Sequence, residues 1–261
     1  MTEPCDLDAV AARRLIGRRA LSPVELLESC LRRIREVNHA VNAVVALDED
    51  RARAAAREAE AAVMRGDKLP PLHGLPIGIK DLEETKGLRT TWGSPIFADH
   101  VPTRDEAMVA NLRRAGAIVL GKTNTPEFGA GANTRNVVYG ATGNPFDPTR
   151  SAAGSSGGSA VALATGMVPV ASGTDTGGSL RNPAAFNGIV GFRPSPGLVP
   201  MPRNGFGWSA LNVLGPMARS AEDCALLLSA MADDNALDPL AYTLHGRAVR
   251  RGDRDLFPPM R

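Results

Sequence analysis

Two glycine- and serine-rich clusters, GSSGGS at 154–159 and GTDTGGS at 173–179, constrain this chain more than any other feature. One helical run and one β-like run separate them. Glycine has no Cβ, so each cluster permits tight turns and close backbone approach. Turns alone seldom call for three serines beside three glycines within six residues. Ser and Gly together present hydroxyls and backbone N–H groups to a bound group. The clusters therefore mark where the fold places its chemistry, and the elements around them say what that fold is.

The first 65 residues read as helical. Apolar spacing near 3.6 runs from Leu7 to Ile16. Ser22-Pro23-Val24-Glu25 supplies an N-cap, a proline at the first helical position and a capping-box glutamate. Val41–Leu47 predicts a short strand, and Asp48 caps an Ala/Arg/Glu-rich helix to about Met64. From Leu75 the texture changes. Short β-like runs (76–79, 117–120, 167–170) alternate with helices at 105–115, 157–165 and from Ser220 onward. Such alternation predicts an α/β architecture, a central sheet covered by helices. Three segments follow: 1–70 as a helical segment packing on the core, 71–232 as the core itself, and 233–261 as an extended arm that loses periodicity.

The chain of 261 residues is long enough to bury a sizeable core. A formal net charge of +2 excludes the strong basic character of a nucleic-acid or membrane-surface binder. Cys5, Cys30 and Cys224 lie too far apart for a disulfide framework, and the four histidines are scattered, so neither a metal nor a cofactor is expected. No signal-peptide core and no apolar run of about 18 residues occurs, so a cytoplasmic location is expected.

Two motif readings compete for the chemistry, one of them at the first cluster. Gly116 to Thr123 formally matches a phosphate-binding loop, G-x-x-x-x-G-K-T. Its context is wrong, because a helix precedes the first glycine and no helix follows the lysine. Gly154-Ser155-Ser156-Gly157-Gly158 matches a nucleophile elbow with Ser156 as nucleophile, His73-Gly74 upstream, and Asp223 or Asp234 and then His245 downstream. An elbow follows a buried strand, and the residues before Gly154 do not read as one. This esterase reading is the weaker alternative.

The run from GSSGGSA through GTDTGGSLRNPAAFNGIVGFRPSPG closely resembles the amidase signature family. Gly74-Leu75-Pro76-Ile77-Gly78-Ile79-Lys80-Asp81 resembles its upstream lysine motif, and Gly121 to Phe128 its connecting segment. The likeness is continuous from about Pro71 to Met231. It implies a mixed central β-sheet with helices on both faces, and catalysis by Lys80, Ser155 and Ser179 with a cis peptide before Ser155. It also implies a supporting hydrogen bond from Ser156 and an ion pair of Asp175 with Arg181; helix capping by Asp175 is the simpler alternative. Ala153 and Asn187 stand where the family usually carries glycine and cysteine. The chain is much shorter than the family's usual members. That leaves open a C-terminally shortened enzyme, a non-catalytic or partner-dependent fragment, and a glutaminase-type A subunit of a tRNA-dependent amidotransferase. A homodimer is compatible with the resemblance.

Amide hydrolysis needs a nucleophile, a base and donors for the developing oxyanion. The backbone N–H groups of Thr176, Gly177, Gly178 and Ser179 form the expected oxyanion hole. A lysine serves as base only when neutral, which burial favours. On the residues alone, a surface lysine paired with Asp81 is the simpler reading of Lys80; the resemblance places it in the site. The expected substrate is a small-molecule amide. Trp92, Phe128, Phe206 and Trp208 are candidates to line its pocket, with core packing as the competing reading.

Overall fold

Local signals place the helices before any tertiary contact is considered. In this computed structural model, which describes residues 3–203 and 205–242, helix α1 spans Ala9–Gly17 and α2 spans Pro23–Val41. The Ser22 hydroxyl accepts from Val24 N at 2.9 Å, and Glu25 accepts from Ser22 N at 3.0 Å, completing the expected capping box. Asn42, left-handed at φ 51°, ends α2. Strand β1 (Val44–Leu47) leads into α3 (Glu49–Arg65), where Asp48 accepts from Arg51 N at 3.1 Å. The first segment thus supplies an edge strand as well as helices.

The later elements are β2 (Pro76–Lys80), α4 (Ala107–Arg114), β3 (Ile118–Thr123), the short β4 (Arg135–Asn136) and β5 (Gly140–Ala141), and α5 (Gly157–Ala164). After them come β6 (Val170–Asp175), α6 (Arg181–Asn187), β7 (Val190–Gly191), β8 (Val213–Ala218) and α7 (Ala221–Met231). The apolar run 167–170 predicts a strand that in fact starts where that run ends. Pro169 has no N–H to give a ladder, and pairing begins at Val170, opposite Ile77 and Ala218. The strand then runs through small polar residues, which apolar patterning does not detect.

A six-stranded mixed sheet, ordered β1-β3-β2-β6-β8-β7, organises the chain, and helices cover both of its faces. Strands β3, β2 and β6 are parallel, while β1, β8 and β7 join antiparallel. Every residue of β2, β3, β6 and β8 is buried. Helix α5 lies on the sheet with seven of its eight residues buried, so it has no polar face to show to solvent. Small residues make this possible: a Cβ at Gly158 would fall 2.2 Å from Asn124 N. The N-terminal helices share one apolar core with the sheet, from Cys5 to Met231. The described part of the 233–261 segment is tied down by Asp238, which accepts from Met201 N at 2.6 Å. Residues 243–261, with His245, Pro258 and Pro259, lie outside the described residues.

Candidate active site

Side chains alternate along a strand, so Gly78 and Lys80 share one face of β2 while Ile77 and Ile79 pack on the other. Lys80 is fully buried. Its Nζ lies 2.7 Å from Ser155 Oγ, 2.8 Å from Ser156 Oγ and 2.7 Å from Thr174 Oγ1. No carboxylate lies within ion-pair distance of Nζ among the described residues. Desolvation lowers its pKa to about 7, against opposing fields from Glu83 and Asp175. The surface pairing with Asp81 does not occur: Asp81 is itself buried and pairs with Lys122 at 3.8 Å.

Ser155 follows a cis peptide bond from Gly154, as the resemblance implied. Ser156 Oγ also accepts from Thr174 N at 3.3 Å, so it joins the start of α5 to β6. Ser156 N donates to the Ser179 carbonyl at 3.2 Å, which brings the two clusters side by side. Ser179 is half-buried, and no hydrogen bond joins its hydroxyl to that of Ser155.

Asp175 shapes the turn that carries Ser179. Its carboxylate accepts from Gly178 N at 2.9 Å and Leu180 N at 3.2 Å, and takes a two-point contact from Arg181 at 3.0 Å each. Arg193 adds a third cationic donor at 2.9 Å. The ion pair forms, but Asp175 does not cap α6: the amides it takes, Gly178 and Leu180, belong to the turn ahead of that helix. Desolvation opposes ionisation of Asp175, but the Arg181, Gly178, Leu180 and Arg193 hydrogen bonds outweigh it and hold the carboxyl well below the usual range. One expectation changes: Gly178 N–H points at Asp175 and is not free for an oxyanion. Gly177 and Ser179 N–H have no partner among the described residues. Gly178 sits at φ +106°, and an added Cβ would meet Asn182 at 2.7 Å, so the turn requires glycine there.

A cavity of about 450 Å³ opens beside Ser155 and Thr174; Ser179 is not among the residues that line it. Ser155, Thr174, Thr176, Gly129, Trp92 and Phe128 form one part of its wall. Phe206 and Trp208 do not line it and are largely exposed.

The rival readings find no support in the geometry. Lys122 of the phosphate-loop match is a buried residue of β3, bonded to Thr85 and Thr90 hydroxyls at 3.1 Å each. Ser156 follows loop rather than a strand. Asp223 accepts from Ala9 N at 3.0 Å and Val10 N at 2.8 Å, so it caps α1. His73 packs its Nε2 2.9 Å from the Ala59 carbonyl, inside the core. No group of three or more His, Cys, Asp and Glu among the described residues could hold a metal ion, and no described helix is long and apolar enough to cross a membrane.

Reading the sequence missed Thr174, Arg193 and the carboxylates that line the cavity. Thr174 lies inside the GTDTGGS cluster and Arg193 inside the matched FRPSPG run, so both carried a signal that went unassigned.

Comparison with known proteins bears on the family and the fold. Residues 25–248 match the family model described as Amidase. The A subunit of glutamyl-tRNA(Gln) amidotransferase from Roseiflexus castenholzii (strain DSM 13941 / HLO8) is 43% identical over 238 residues, covering 91% of this chain and 48% of that protein. Its counterpart of the same name from Azoarcus sp. (strain BH72) is 47% identical, over 84% of this chain and 45% of its own length. Native peptide amidase from Stenotrophomonas maltophilia superposes with a TM-score of 0.85 at 36% identity, covering 94% of this chain and 51% of that one. The chain spans about half the length of the relatives it matches. With a matched region that takes in both Gly/Ser clusters and the buried lysine, the chain belongs to the amidase family.

Proposed function

We propose that this chain carries the catalytic half of a serine amidohydrolase that cleaves a carboxylic amide C–N bond. One observation carries the reading: a fully buried lysine with no carboxylate partner and three hydroxyls within 2.8 Å. A protonated amine donates to all three. A neutral amine has two N–H donors and one lone pair, and that lone pair takes the Ser155 proton. Ser155 Oγ in turn takes the proton of Ser179. This relay requires the Ser179 side chain to rotate towards Ser155 when substrate binds; catalytic hydrogen bonds often tighten only in the complex.

Ser179 Oγ then attacks the amide carbon. The Gly177 and Ser179 N–H groups receive the oxyanion, each worth about 3–4 kcal/mol of barrier. The proton held by Lys80 returns through Ser155 to the leaving nitrogen, and ammonia or an amine departs. Water attacks the acyl-enzyme by the same relay, releasing the acid and regenerating Ser179.

A second reading is favoured by the names of the relatives: an amide-hydrolysing component that works on glutamine within a larger amidotransferase. Both readings use the same three residues. Ammonia release from simple alkyl and aryl amides by the isolated chain supports the stand-alone hydrolase. Release from glutamine only with partner subunits supports the second. No release under either condition favours a non-catalytic fragment. Near-normal turnover by Lys80→Ala would sink the relay in both.

A further inference from the structure

The cavity beside Ser155 has a charged wall that the proposed chemistry does not use. Glu83, Glu84, Glu106, Arg104 and Arg203 line it. Four of these five groups satisfy one another. Arg203 contacts Glu84 at 2.6 Å and Glu106 at 3.3 Å, and Arg104 reaches Glu84 at 3.5 Å. Glu83 is left over. The residue is 6% exposed, and among the described residues its carboxyl makes no hydrogen bond or ion pair, its oxygens keeping access to the cavity. Lys122 does not serve it, because that ammonium bonds the Glu83 backbone carbonyl and pairs with Asp81.

Burial first, and then the field of Glu106, push the Glu83 carboxyl up to about 7, with Lys122, Lys80 and Arg203 opposing. An ionised carboxylate buried without a partner is costly, and an incoming cation removes that cost. The same cavity presents the rings of Trp92 and Phe128. Aromatic faces attract organic cations. Trp92 is fixed by its Nε1–H to the Leu82 carbonyl at 2.9 Å and packs edge-on against Phe97, which in turn meets Phe128. The cavity therefore combines one unpaired carboxylate with two aromatic rings, beside the Ser155 hydroxyl.

From this arrangement we infer that the cavity selects amides carrying a protonated amine, with Glu83 as the residue that pairs that amine and sets specificity. The inference rests on the amidase reading only for the identity of the bound amide. A neutral alkyl amide of the same shape would leave Glu83 buried and unpaired, which a site of this kind penalises.

The test separates this inference from that reading by measuring binding, not turnover. Calorimetry on Ser179→Ala compares ω-amino amides of three to six carbons with neutral alkyl amides of matched length. At least one amino amide is expected to bind about thirtyfold or more tightly than its neutral match. Adding Glu83→Gln should erase the preference, while Glu83→Asp, which keeps the charge, should retain part of it; circular dichroism checks that each variant is folded. Equal or undetectable binding of the paired amides to folded Ser179→Ala overturns the inference, as does a preference that survives Glu83→Gln. Hydrolysis of the neutral amides by wild type, abolished in Ser179→Ala, bears on the amidase reading alone.

Discussion

Lys80 and Lys122 are both fully buried, and adjacent parallel strands carry them. Register pairs Lys80 with Thr123 and Ile79 with Lys122, so the two ammonium groups leave the sheet on opposite faces. Lys122 meets Asp81 at 3.8 Å, the Glu83 carbonyl and two threonine hydroxyls. Lys80 meets three hydroxyls and no carboxylate. Desolvation lowers both pKa values, to about 8 for Lys122 and about 7 for Lys80. Burial alone therefore does not make a base. A carboxylate holds Lys122 as one half of a buried ion pair, and it is the lack of one at Lys80 on which the proposed proton relay rests.

The largest expected effect separates the two lysines by activity. Lys80→Met should stay folded and lose about 10²–10⁴-fold in amide turnover, the usual worth of a positioned base. Lys122→Met should act on stability instead. It strands Asp81 in the core, at a cost of about 3–5 kcal/mol in urea unfolding. Restoring balance with Asp81→Asn in the same chain should recover much of that loss, because the two sites share one interaction. Equal stability losses in the two single lysine variants would break the comparison.

Proton linkage gives the next largest effect. Lys80 must be neutral to accept a proton, so kcat/KM should rise with pH through about 7 and level off above it. A rate that stays flat from pH 5 to 9 contradicts the assignment of the base. The smallest effect belongs to Thr174→Val. Its hydroxyl accepts from the charged ammonium at 2.7 Å, so removing it disfavours the charged form. The acid limb should move to lower pH by about half a unit to one unit. A move to higher pH would mean that Thr174 supports the neutral amine.

The parts of this site legible in the sequence are those fixed by local spacing. Ser22, Asp48 and Ser220 cap helices because a polar side chain reaches the amide two or three residues on. Lys80, Ser155 and Ser179 sit in motifs long enough to be recognised. What stayed hidden depends on which strand lies beside which. Thr174 matters because β6 pairs with β2, and Asp81 meets Lys122 because β3 lies on the other side. Neither register can be read from one chain's alternation. Gly178 misled for a related reason: a turn glycine signals a free amide, but the Asp175 carboxylate three residues earlier takes it.

The most direct test of the account is intact-mass spectrometry after exposure to a serine-reactive fluorophosphonate, on wild type, Ser179→Ala and Lys80→Met. The account predicts one adduct on wild type, none on Ser179→Ala, and strongly slowed labelling of Lys80→Met. A folded wild-type chain that takes no adduct, or an adduct that persists in Ser179→Ala, would contradict it.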